Sequence, residues 1–452
     1  MNEKKSIDFH SVTVADKPLF EYYAHSSEEQ NCDLNFANIF CWSDTYHTEI
    51  AEVDNSLVIR FDNGGAKCYM QPFCIGDRAL IIEQLRQDAF AMHAPLRLYG
   101  LSREWRDFLE RTYPGEFAFD TPRALCDYIY RTEDLAELRG RKYQPKRNHL
   151  NHFIARNDWY AEPLSKANIK DCIALNKKWL RGRDIGETER AEQRAIERAF
   201  DNFDALGLRG LVLYANGVPV AFSYGTPINN KTFCTHIEKY DSEVEGAATM
   251  INRLMAQSLD EEFEFVNRED DLGLEGLRFA KMSYHPVALL EKTSALHLTA
   301  EQREMREMWH EIFGDEIHEI DSFLVNHSNA IPLIYKENGK IVSMLYIVPL
   351  EVVCKKVAYI YAVATKPEYR GRSIASKLLS EALQLIKDSG RYDMVALIPS
   401  SIESKRLYSR LGFEDTQMPI EFPANDYLGT GSVPHDLAMT IKLGNYLRHY
   451  PK

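Results

Sequence analysis

The sequence predicts an α/β protein in which one kind of structural unit occurs three times. Three segments have the pattern of two β-strands joined by a tight turn, and they recur at intervals of about the size of a domain. Helical stretches surround them. The segments are residues 211–225, 333–347 and 50–61, with turns at Asn216-Gly217, Asn338-Gly339 and Asp54-Asn55.

The length and composition fit three domains of a globular protein. The chain has 452 residues, of which 45% are hydrophobic and 27% are charged, and a domain has roughly 150 residues. Thr299, with Gln302 three positions later, has the pattern of a helix start, and this predicts a junction near residues 293–299. We expect two lobes at residues 1–155 and 156–296 and a third unit at residues 297–452.

The charge and the hydropathy pattern argue against general binding to nucleic acid or membranes, although a local basic patch stays possible. Lys plus Arg total 54 against 67 Asp plus Glu, and the formal net charge of -13 argues against general affinity for nucleic acid or anionic membranes. No apolar run approaches the roughly 18 to 20 residues needed to cross a bilayer, and the first residues lack the apolar centre of a secretory signal. We expect a cytoplasmic protein without a membrane span, and the sequence carries no signal for one oligomeric state.

The cysteines are scattered and lack the spacing of a metal or disulfide framework. The sequence contains no Cys-x-x-Cys pair, so it fits neither a disulfide scaffold nor a zinc cage of that type. We expect reduced thiols, most of them buried, and no bound metal. The eight cysteines are Cys32, Cys41, Cys68, Cys74, Cys126, Cys172, Cys234 and Cys354.

The strongest chemical signal lies in residues 359–390. An apolar strand is followed by a turn with a proline, by a short polar loop with Arg370, Gly371 and Arg372, and by a helix that Gly390 ends. Such a helix start binds anions, because free backbone N–H groups and the positive end of the helix dipole converge there. The predicted apolar stripe of the helix is Ile374, Leu378, Leu379, Ala382, Leu383 and Ile386.

A second signal follows in residues 393–413. The pattern predicts a buried strand, then a helix, with Ser400 and Glu403 at the spacing of a capping box. Gly412 would end this helix, with Phe413 behind it.

These two segments resemble the N-acetyltransferases of the GNAT family. The family pattern Gln/Arg-x-x-Gly-x-Gly/Ala aligns with Arg370, Ser373 and Ala375, with serine where the family has glycine. In the pattern Asn-x-x-Ala-x-x-x-Tyr-x-x-x-Gly-Phe, Ser401 and Ser404 stand at the Asn and Ala positions. Tyr408, Gly412 and Phe413 match it.

The resemblance implies that residues 297–452 bind acetyl-CoA as the acyl donor. It implies that Tyr408 protonates the departing CoA thiolate. A phenol of pKa about 10 can donate to the sulfur as the thiolate forms, whose conjugate thiol has a pKa near 8.5. The amine-activating base stays open between Glu351, His435, Asp436 and a water relay. The implied cofactor-binding residues are Val363, Ala364, Thr365, Arg370, Gly371, Arg372, Ser373, Ile374, Ala375, Ser376, Ser401 and Ser404.

Opposite charges are separated along the first 296 residues. From Arg139 to Arg156 there are six Lys or Arg residues and no acid, whereas residues 260–275 contain eight acids and one arginine, Arg268. Such segments form either salt bridges with each other or a site for a charged ligand.

Most of residues 1–296 resemble a bacterial family of unknown function that is related to the catalytic domain of phosphatidylglycerol lysyltransferases. The basic run, Glu238-Lys239 and the stretch with Glu269, Asp271, Gly273, Gly276, Leu277 and Arg278 carry the resemblance. It implies two acetyltransferase-like lobes in tandem and a link to aminoacyl-tRNA donors. Ligand-binding candidates, for which structural ion pairs are the alternative, are Lys142, Lys146, Arg147, Asn148, Glu238, Lys239, Glu269, Asp271, Arg278 and Lys281.

Together the two resemblances predict an α/β fold of three acetyltransferase-like (GNAT) units, two in tandem plus one C-terminal GNAT domain. They predict acetyl transfer from acetyl-CoA to a primary amine of a small molecule or peptide, by direct attack within a ternary complex. Two alternatives stay open. The first is an aminoacyl-tRNA-dependent transferase centred on the tandem module, with tRNA as partner, and the second is a non-catalytic binding protein.

Overall fold

The computed structural model describes residues 7–24, 28–181, 185–259, 262–352, 355–416 and 438–443. The described residues form three β-sheets with helices packed on them, so the predicted α/β fold of three units is confirmed. By contacts the chain divides into two compact units. The first contains the residues up to Thr112 together with Thr121–Ala295, and the second contains Tyr113–Asp120 together with the residues from Leu296 onward.

In the described ranges, the strands are short in the first sheet and longer at the hairpins of the second and third. They are β1 (His10–Ser11), β2 (Glu49–Val53), β3 (Ser56–Asn63), β4 (Ala66–Met70), β5 (Phe73–Cys74), β6 (Arg97–Leu101), β7 (Phe117–Asp120), β8 (Asp127–Arg131), β9 (Trp159–Pro163), β10 (Arg209–Ala215), β11 (Val218–Pro227), β12 (Thr232–Tyr240), β13 (Phe265–Asn267), β14 (Ala288–Leu290), β15 (Thr293–His297), β16 (Ile331–Glu337), β17 (Lys340–Val352), β18 (Lys355–Thr365), β19 (Met394–Leu397), β20 (Glu414–Asp415) and β21 (Met439–Lys442).

The α-helices of the same ranges are α1 (Lys17–Ala24), α2 (Phe36–Tyr46), α3 (Arg78–Ala91), α4 (Arg103–Thr112), α5 (Thr132–Glu137), α6 (Gln144–Arg156), α7 (Ile169–Leu180), α8 (Glu187–Asp201), α9 (Phe203–Leu206), α10 (Ala247–Gln257), α11 (Glu275–Met282), α12 (Ala300–Phe313), α13 (Ile317–Asn326), α14 (Ile374–Ser389) and α15 (Ile402–Arg410). Short 3₁₀ turns lie at Val14–Asp16, Cys32–Leu34, Arg123–Leu125, Arg141–Tyr143 and Pro367–Tyr369.

The first unit contains two sheets. The first has the order β1-β2-β3-β4-β6, with β5 paired to β3, and the second has the order β14-β8-β13-β12-β11-β10-β9. Strand β8 lies in the second sheet although it precedes residue 155 in the chain. The boundary between two lobes at residue 155 therefore stays a prediction.

The three predicted hairpins are confirmed. The turn residues Asn216 and Asn338 have φ of 52° and 51°, and the glycine after each has φ of 80° and 77°. Asp54 and Asn55 also have positive φ. Two consecutive positive φ values give the turn a twist that matches the right-handed twist of the flanking strands, and Asn-Gly adopts them readily.

The second unit contains the third sheet, in the order β16-β17-β18-β19-β21-β20. The predicted helix on this sheet is α14, and all six residues of its predicted apolar stripe are buried. Gly390 ends it with φ of 61°. Helix α12 begins after Thr299, whose Oγ1 accepts a hydrogen bond from the Gln302 N–H at 3.2 Å, so the predicted cap is confirmed.

The predicted capping box at Ser400 and Glu403 is wrong by one residue. Helix α15 begins at Ile402, so the N-cap is Ser401. The Ser401 Oγ accepts from the Ser404 N–H at 3.1 Å, and the Ser401 N–H donates to the Ser404 Oγ at 3.0 Å. The register differs because a serine one position later can close the same reciprocal pair.

Each unit contains two parallel strands that pair over three residues and then separate. Strands β12 and β13 pair from Thr232–Phe265 to Cys234–Asn267, and β12 then continues to Tyr240. Strands β18 and β19 pair from Val357–Met394 to Tyr359–Ala396, and β18 continues to Thr365. In both units this leaves a wedge-shaped opening beyond the last pair.

The cysteines that the structure describes are free thiols, and five of these seven are buried. Cys354 lies outside the described residues. None of the helices in the described ranges combines the length and the apolar character that crossing a bilayer requires.

A buried arginine holds the segment Tyr113–Asp120 within the second unit. Arg306 of α12 donates to the Asp321 carboxylate at 3.0 Å and to the carbonyl oxygens of Phe117 at 3.2 Å and Gly115 at 2.8 Å. The side chains of Arg306 and Asp321 are only 6% and 8% exposed. One guanidinium therefore joins two helices to a distant segment of the chain.

We expect Arg306→Met to lower the free energy of unfolding by about 3 to 5 kcal/mol, because it leaves the buried Asp321 charge without its partner. Denaturant unfolding of the full chain measures this. Arg303→Met is the matched control, because Arg303 lies on the same helix and its side chain is 39% exposed. Its ion pair with Glu116 is long, with 3.8 Å between the guanidinium nitrogen and the carboxylate oxygen. Equal effects of the two substitutions would contradict a special role for Arg306.

Candidate functional site

The wedge in the second unit contains a cavity of about 210 Å³. Aromatic and apolar side chains form most of its wall, which also contains one carboxylate and the hydroxyl groups of three tyrosines and one serine. The lining residues are Trp309, Phe313, Asp315, Tyr359, Ile360, Tyr361, Ala362, Val363, Ile398, Pro399, Ser400 and Tyr408.

Tyr408, predicted as the acid, lies in this wall. It is 6% exposed, and its ring packs against Phe413 with a centroid distance of 6.0 Å. Burial raises the pKa of Tyr408 to about 12. Its hydroxyl therefore keeps its proton at neutral pH, so it can act as a hydrogen-bond donor or an acid toward a group in the cavity.

The β18 edge bulges where it borders the cavity. The register with β17 shifts between Met344 and Tyr346, and Ala362 has φ of 49°. Of the three predicted backbone donors, Val363 lies at the cavity. Ala364 pairs with Met344, and its carbonyl accepts from the Ser343 hydroxyl at 2.8 Å. The Thr365 Oγ1 lies 2.9 Å from the same Ser343 hydroxyl.

The predicted anion site lies on the loop that follows β18. Gly371 and Ser373 both have left-handed backbone, with φ of 76° and 59°, and α14 begins directly afterwards. Arg370 Nε donates to the Thr365 carbonyl at 3.1 Å, and both arginine side chains are exposed. The loop thus presents two cations and the free N–H groups of the first helical turn.

The left-handed backbone explains why a glycine suits position 373. A residue with a Cβ pays a conformational cost of order 1–3 kcal/mol there, which glycine avoids. Ser401 and Ser404, also predicted as cofactor-binding, use their hydroxyl groups to cap α15. Their role toward a cofactor stays a prediction.

Asp315 is a residue of the cavity wall that the sequence reasoning missed. Trp309 Nε1 donates to its Oδ2 at 2.7 Å, which fixes the carboxylate at the wall. Burial, with the charges of Asp315 and Glu319, raises the pKa of Tyr361 to about 12. The carboxylate gives this cavity a negative group that can hold an ammonium ion, and no family pattern covers it.

The alternatives for the base are not brought to the cavity by the described residues. Glu351 is exposed near the end of β17, opposite Lys356, and is absent from the described cavity wall. His435 and Asp436 lie outside the described residues.

The wedge in the first unit is lined by charged groups. Arg268, which follows β13, donates to the Glu238 carboxylate at 3.0 Å and lies 5.0 Å from the Tyr284 ring. The Lys146 ammonium lies 3.8 Å from the centre of the same ring. Burial, with the charge of Arg268, lowers the pKa of Lys146 to about 8. Two of the ligand-binding candidates predicted from the sequence, Lys146 and Glu238, therefore lie in one cluster. Arg268, at its centre, was not among those candidates.

Lys281 and Glu269 border this cluster. The Lys281 Nζ donates to the carbonyls of Arg268, at 2.5 Å, and Asp270. Burial, with the charge of Arg268, lowers the pKa of Lys281. The Glu269 Oε1 lies 3.2 Å from the His236 Nδ1.

The other predicted residues of the first unit have structural partners. Burial alone would raise the pKa of Asp271, but hydrogen bonds from Arg278 and Tyr128 hold this pKa well below its usual value. The partners are Asp134 for Lys142, the Leu138 and Gly140 carbonyls for Arg147, Gln144 for Asn148, Glu192 for Lys239 and Asp271 for Arg278.

Lys292 forms a buried ion cluster that the sequence did not reveal. Its Nζ lies 2.9 Å from Asp33, 2.8 Å from Asp127 and 3.4 Å from Asp270. Lys292 is 4% exposed, and burial raises the pKa of Asp270 to about 6 against the opposing charge of Lys292. The cluster joins segments that are far apart in sequence, so no local pattern could indicate it.

The loop after β12 is acidic where the loop after β18 is basic. It carries Asp241, Glu243 and Glu245 and leads to α10, whose N-cap is Gly246. Lys178 contacts the first two acids at 2.6 and 3.3 Å. An acidic loop repels a pyrophosphate, so the basic loop of the second unit is the better anion site.

Comparison with known families divides the chain close to the unit boundary. Residues 25–295 match the family described as phosphatidylglycerol lysyltransferase, C-terminal. Residues 296–413 match the acetyltransferase (GNAT) family.

Related proteins include solved structures and one curated sequence. A conserved protein of unknown function from Bacteroides thetaiotaomicron is 39% identical, with a TM-score of 0.62, over 65% of this chain and 100% of that chain. L-PGS from Bacillus licheniformis is 14% identical, with a TM-score of 0.47, over 63% of this chain and 94% of that chain. An uncharacterized protein of Mycoplasmoides gallisepticum is 25% identical over 198 residues, which are 43% of this chain and 62% of that relative. The chain therefore matches less than two thirds of the length of the curated relative.

The family match covers more than half of the chain, and this match carries the assignment. The chain belongs to the phosphatidylglycerol lysyltransferase C-terminal family and continues into a domain that matches the acetyltransferase (GNAT) family.

Proposed function

We propose that the second unit transfers an acetyl group from acetyl-CoA to a primary amine. The observation that carries the proposal is the order of groups along β18. A basic loop with a free helix start follows the strand, and a cavity with a protonated tyrosine lies beside its bulge.

The loop and the strand supply the donor site. We assign the pyrophosphate to the N–H groups from Gly371 to Ser376, with Arg370 and Arg372 as counter-charges. The pantetheine arm would follow β18, where the pairing with β19 has ended at Tyr359. The thioester carbonyl would then lie at the bulge near Val363, within reach of backbone donors.

The cavity walls favour a short acyl group and a cationic acceptor. Trp309, Phe313 and Tyr361 surround a volume of about 210 Å³, which leaves little room beyond an acetyl group and the amine. Asp315 would hold the acceptor as an ammonium ion before it loses a proton to water.

The reaction is one addition followed by one elimination. The neutral amine nitrogen attacks the thioester carbon, and a C–N bond forms. The tetrahedral intermediate then loses CoA as the C–S bond breaks, and the Tyr408 hydroxyl gives its proton to the sulfur. Water restores the proton of the tyrosinate, and the excess proton of the amide nitrogen goes to solvent.

We expect Ser373→Ala to weaken CoA binding by about 0.5 to 1.5 kcal/mol, because it removes a hydrogen bond to phosphate. Ser373→Gly should stay within about twofold of the wild type, because the relief of left-handed strain offsets the lost hydroxyl. Calorimetric titration with CoA measures both. Ser389→Ala, at the opposite end of α14, is the control. Tighter binding by both Ser373 variants would show that the serine obstructs the loop.

We expect Tyr408→Phe to slow the chemical step about 10²- to 10⁴-fold with little change in acetyl-CoA affinity. The phenylalanine ring still packs on Phe413, but the thiolate must then take its proton from water. Single-turnover CoA release measures the step, with the best acceptor from a screen of polyamines, amino acids and peptides.

Asp315→Asn is the contrasting variant in that assay. It should raise the KM for the amine and leave the saturated single-turnover rate close to that of the wild type, because it acts on acceptor binding. Full single-turnover chemistry in Tyr408→Phe would make Tyr408 a packing residue and remove the acid from the mechanism.

The charged wedge of the first unit favours a second candidate function, aminoacyl transfer from aminoacyl-tRNA. Glu238 and Glu269 can bind the ammonium group of an aminoacyl ester, and the basic helix α6 can contact phosphates. The family match of residues 25–295 supports this candidate.

We expect tRNA to bind the full chain with an affinity that falls steeply as salt rises, because each neutralised phosphate releases counterions. Lys142→Glu combined with Lys146→Glu should weaken binding at least tenfold in a filter-binding titration. Lys166→Glu is the control, at an exposed lysine of the same unit. Salt-independent binding, or equal loss in the control, would contradict the candidate. Absence of both CoA and tRNA binding would leave the non-catalytic alternative.

A further inference from the structure

A thiol, an imidazole and a carboxylate meet inside the first unit, apart from the donor site proposed above. Cys234 and His236 lie two residues apart on β12, where the register with β11 shifts between the pairs Gly225–Thr235 and Tyr224–Ile237. Glu269 reaches them from the loop after β13. Its Oε1 lies 3.2 Å from the His236 Nδ1 and 3.7 Å from the Cys234 Sγ, and the three donor atoms all lie within 4.8 Å of one another.

The separation of β12 from β13 brings these groups together. The strands pair for the last time at Cys234 and Asn267, and Glu269 then takes a left-handed backbone with φ of 57°. Its N–H donates to the Asn267 Oδ1 at 2.6 Å, which holds this turn. The turn directs the carboxylate back to β12.

A chain of hydrogen bonds defines the proton of His236. The Asn35 amide has a fixed orientation, because its Nδ2 donates to the Pro227 carbonyl at 2.9 Å and its Oδ1 accepts from the Ala37 N–H at 2.8 Å. The Thr226 hydroxyl donates to that Oδ1 at 3.0 Å. Its oxygen must then accept from the His236 Nε2–H at 2.8 Å.

The neutral ring therefore presents a bare Nδ1 to the Glu269 carboxylate. Two lone pairs at 3.2 Å repel each other unless a cation lies between them or the ring takes a second proton. The Asn38 amide already donates to the same carboxylate oxygen at 2.9 Å. The Nδ1, the Oε1 and the Sγ therefore converge on one position that suits a cation.

We propose that Cys234, His236 and Glu269 bind a divalent cation of the zinc class. Zinc–ligand distances of about 2.0 to 2.3 Å in a tetrahedron separate the ligand atoms by about 3.3 to 3.6 Å. The two separations from the Glu269 Oε1, 3.2 and 3.7 Å, lie close to this range, and the Cys234 Sγ and the His236 Nδ1 lie within 4.8 Å of each other. A thiolate, an imidazole and a carboxylate form a donor set that zinc prefers.

The site has the features of a zinc site with one open position. Three protein ligands leave the fourth position for water or for the carbonyl oxygen of a substrate. Thr226 orients the imidazole from the second nitrogen, as the outer hydrogen bonds of metal-bound histidines do. When the metal binds, the Cys234 thiol releases its proton to solvent. The two positive charges of the metal are then matched by the thiolate and the Glu269 carboxylate.

The test uses the full chain after removal of metal by a chelator. Zinc is titrated in competition with a chromophoric indicator, and cobalt is then bound in its place. We expect one equivalent of metal, and a thiolate-to-cobalt charge-transfer absorption in the wild type. His236→Gln and Glu269→Gln should each lower the affinity at least tenfold, and Cys234→Ser should abolish the absorption.

Two further variants separate metal binding from general damage to the core. Thr226→Val should weaken binding about 10- to 100-fold without removing a ligand. Cys68→Ser, at a buried cysteine of the first sheet, should leave the affinity and the absorption unchanged.

The proposal is overturned if the wild type binds no stoichiometric metal, or if the bound cobalt shows no thiolate absorption. The wild-type spectrum decides this even if a ligand variant fails to fold. In that case His236 and Glu269 form an ion pair with a protonated imidazole. Failure here leaves acetyl transfer by the second unit untouched, because the two tests read different units.

Discussion

The early end of a parallel strand pair is the constraint on which both sites depend. After three paired residues β18 leaves β19, and β12 leaves β13 in the same way. Beyond the last pair, the backbone N–H and C=O groups along one edge of the longer strand face a gap instead of a partner strand. A continuous sheet would consume both the hydrogen bonds and the space, so the fold gives up pairing energy to make a binding site.

The two wedges share this construction but differ in chemistry. The wedge of the second unit has aromatic walls, one acid and a buried phenol. In the wedge of the first unit, Arg268 pairs with Glu238, and both Arg268 and Lys146 lie against the Tyr284 ring. The loops that follow the long strands also have opposite charge. The same strand geometry thus borders a mainly apolar wall in one unit and charged side chains in the other.

Local patterns were the parts of this molecule that the sequence predicted well. The Asn-Gly turns, the apolar stripe of α14 and the cap at Thr299 depend on residues within a few positions of each other. The register of the α15 cap was missed by one residue because two serines and a glutamate offer competing pairs. Local patterns do not predict strand order. Strand β8, for example, precedes residue 155 but pairs with strands of the second sheet.

The candidate sites divide along the same line. Arg370, Ser373 and Tyr408 follow family patterns that can be read along the chain. The contacts of Asp315 and Lys292 form only when the chain folds, so no local pattern indicates that these residues belong to a site or a buried cluster. Charge composition indicated that the first unit contains ion pairs, but the partners of Arg147 and Asp271 are short-range contacts that a count of charges does not specify.

Because the segment Tyr113–Asp120 belongs to the second unit, that unit is discontinuous along the chain. The chain enters the second unit at Tyr113, leaves it after Asp120 and returns at Leu296, so three peptide connections join the units. A gene cut at residue 296 would separate α12 and α13 from the strand that Arg306 holds. The second unit is therefore not encoded by one continuous part of the gene, so a single crossover cannot exchange it intact. The candidate sites of the two units are inherited together.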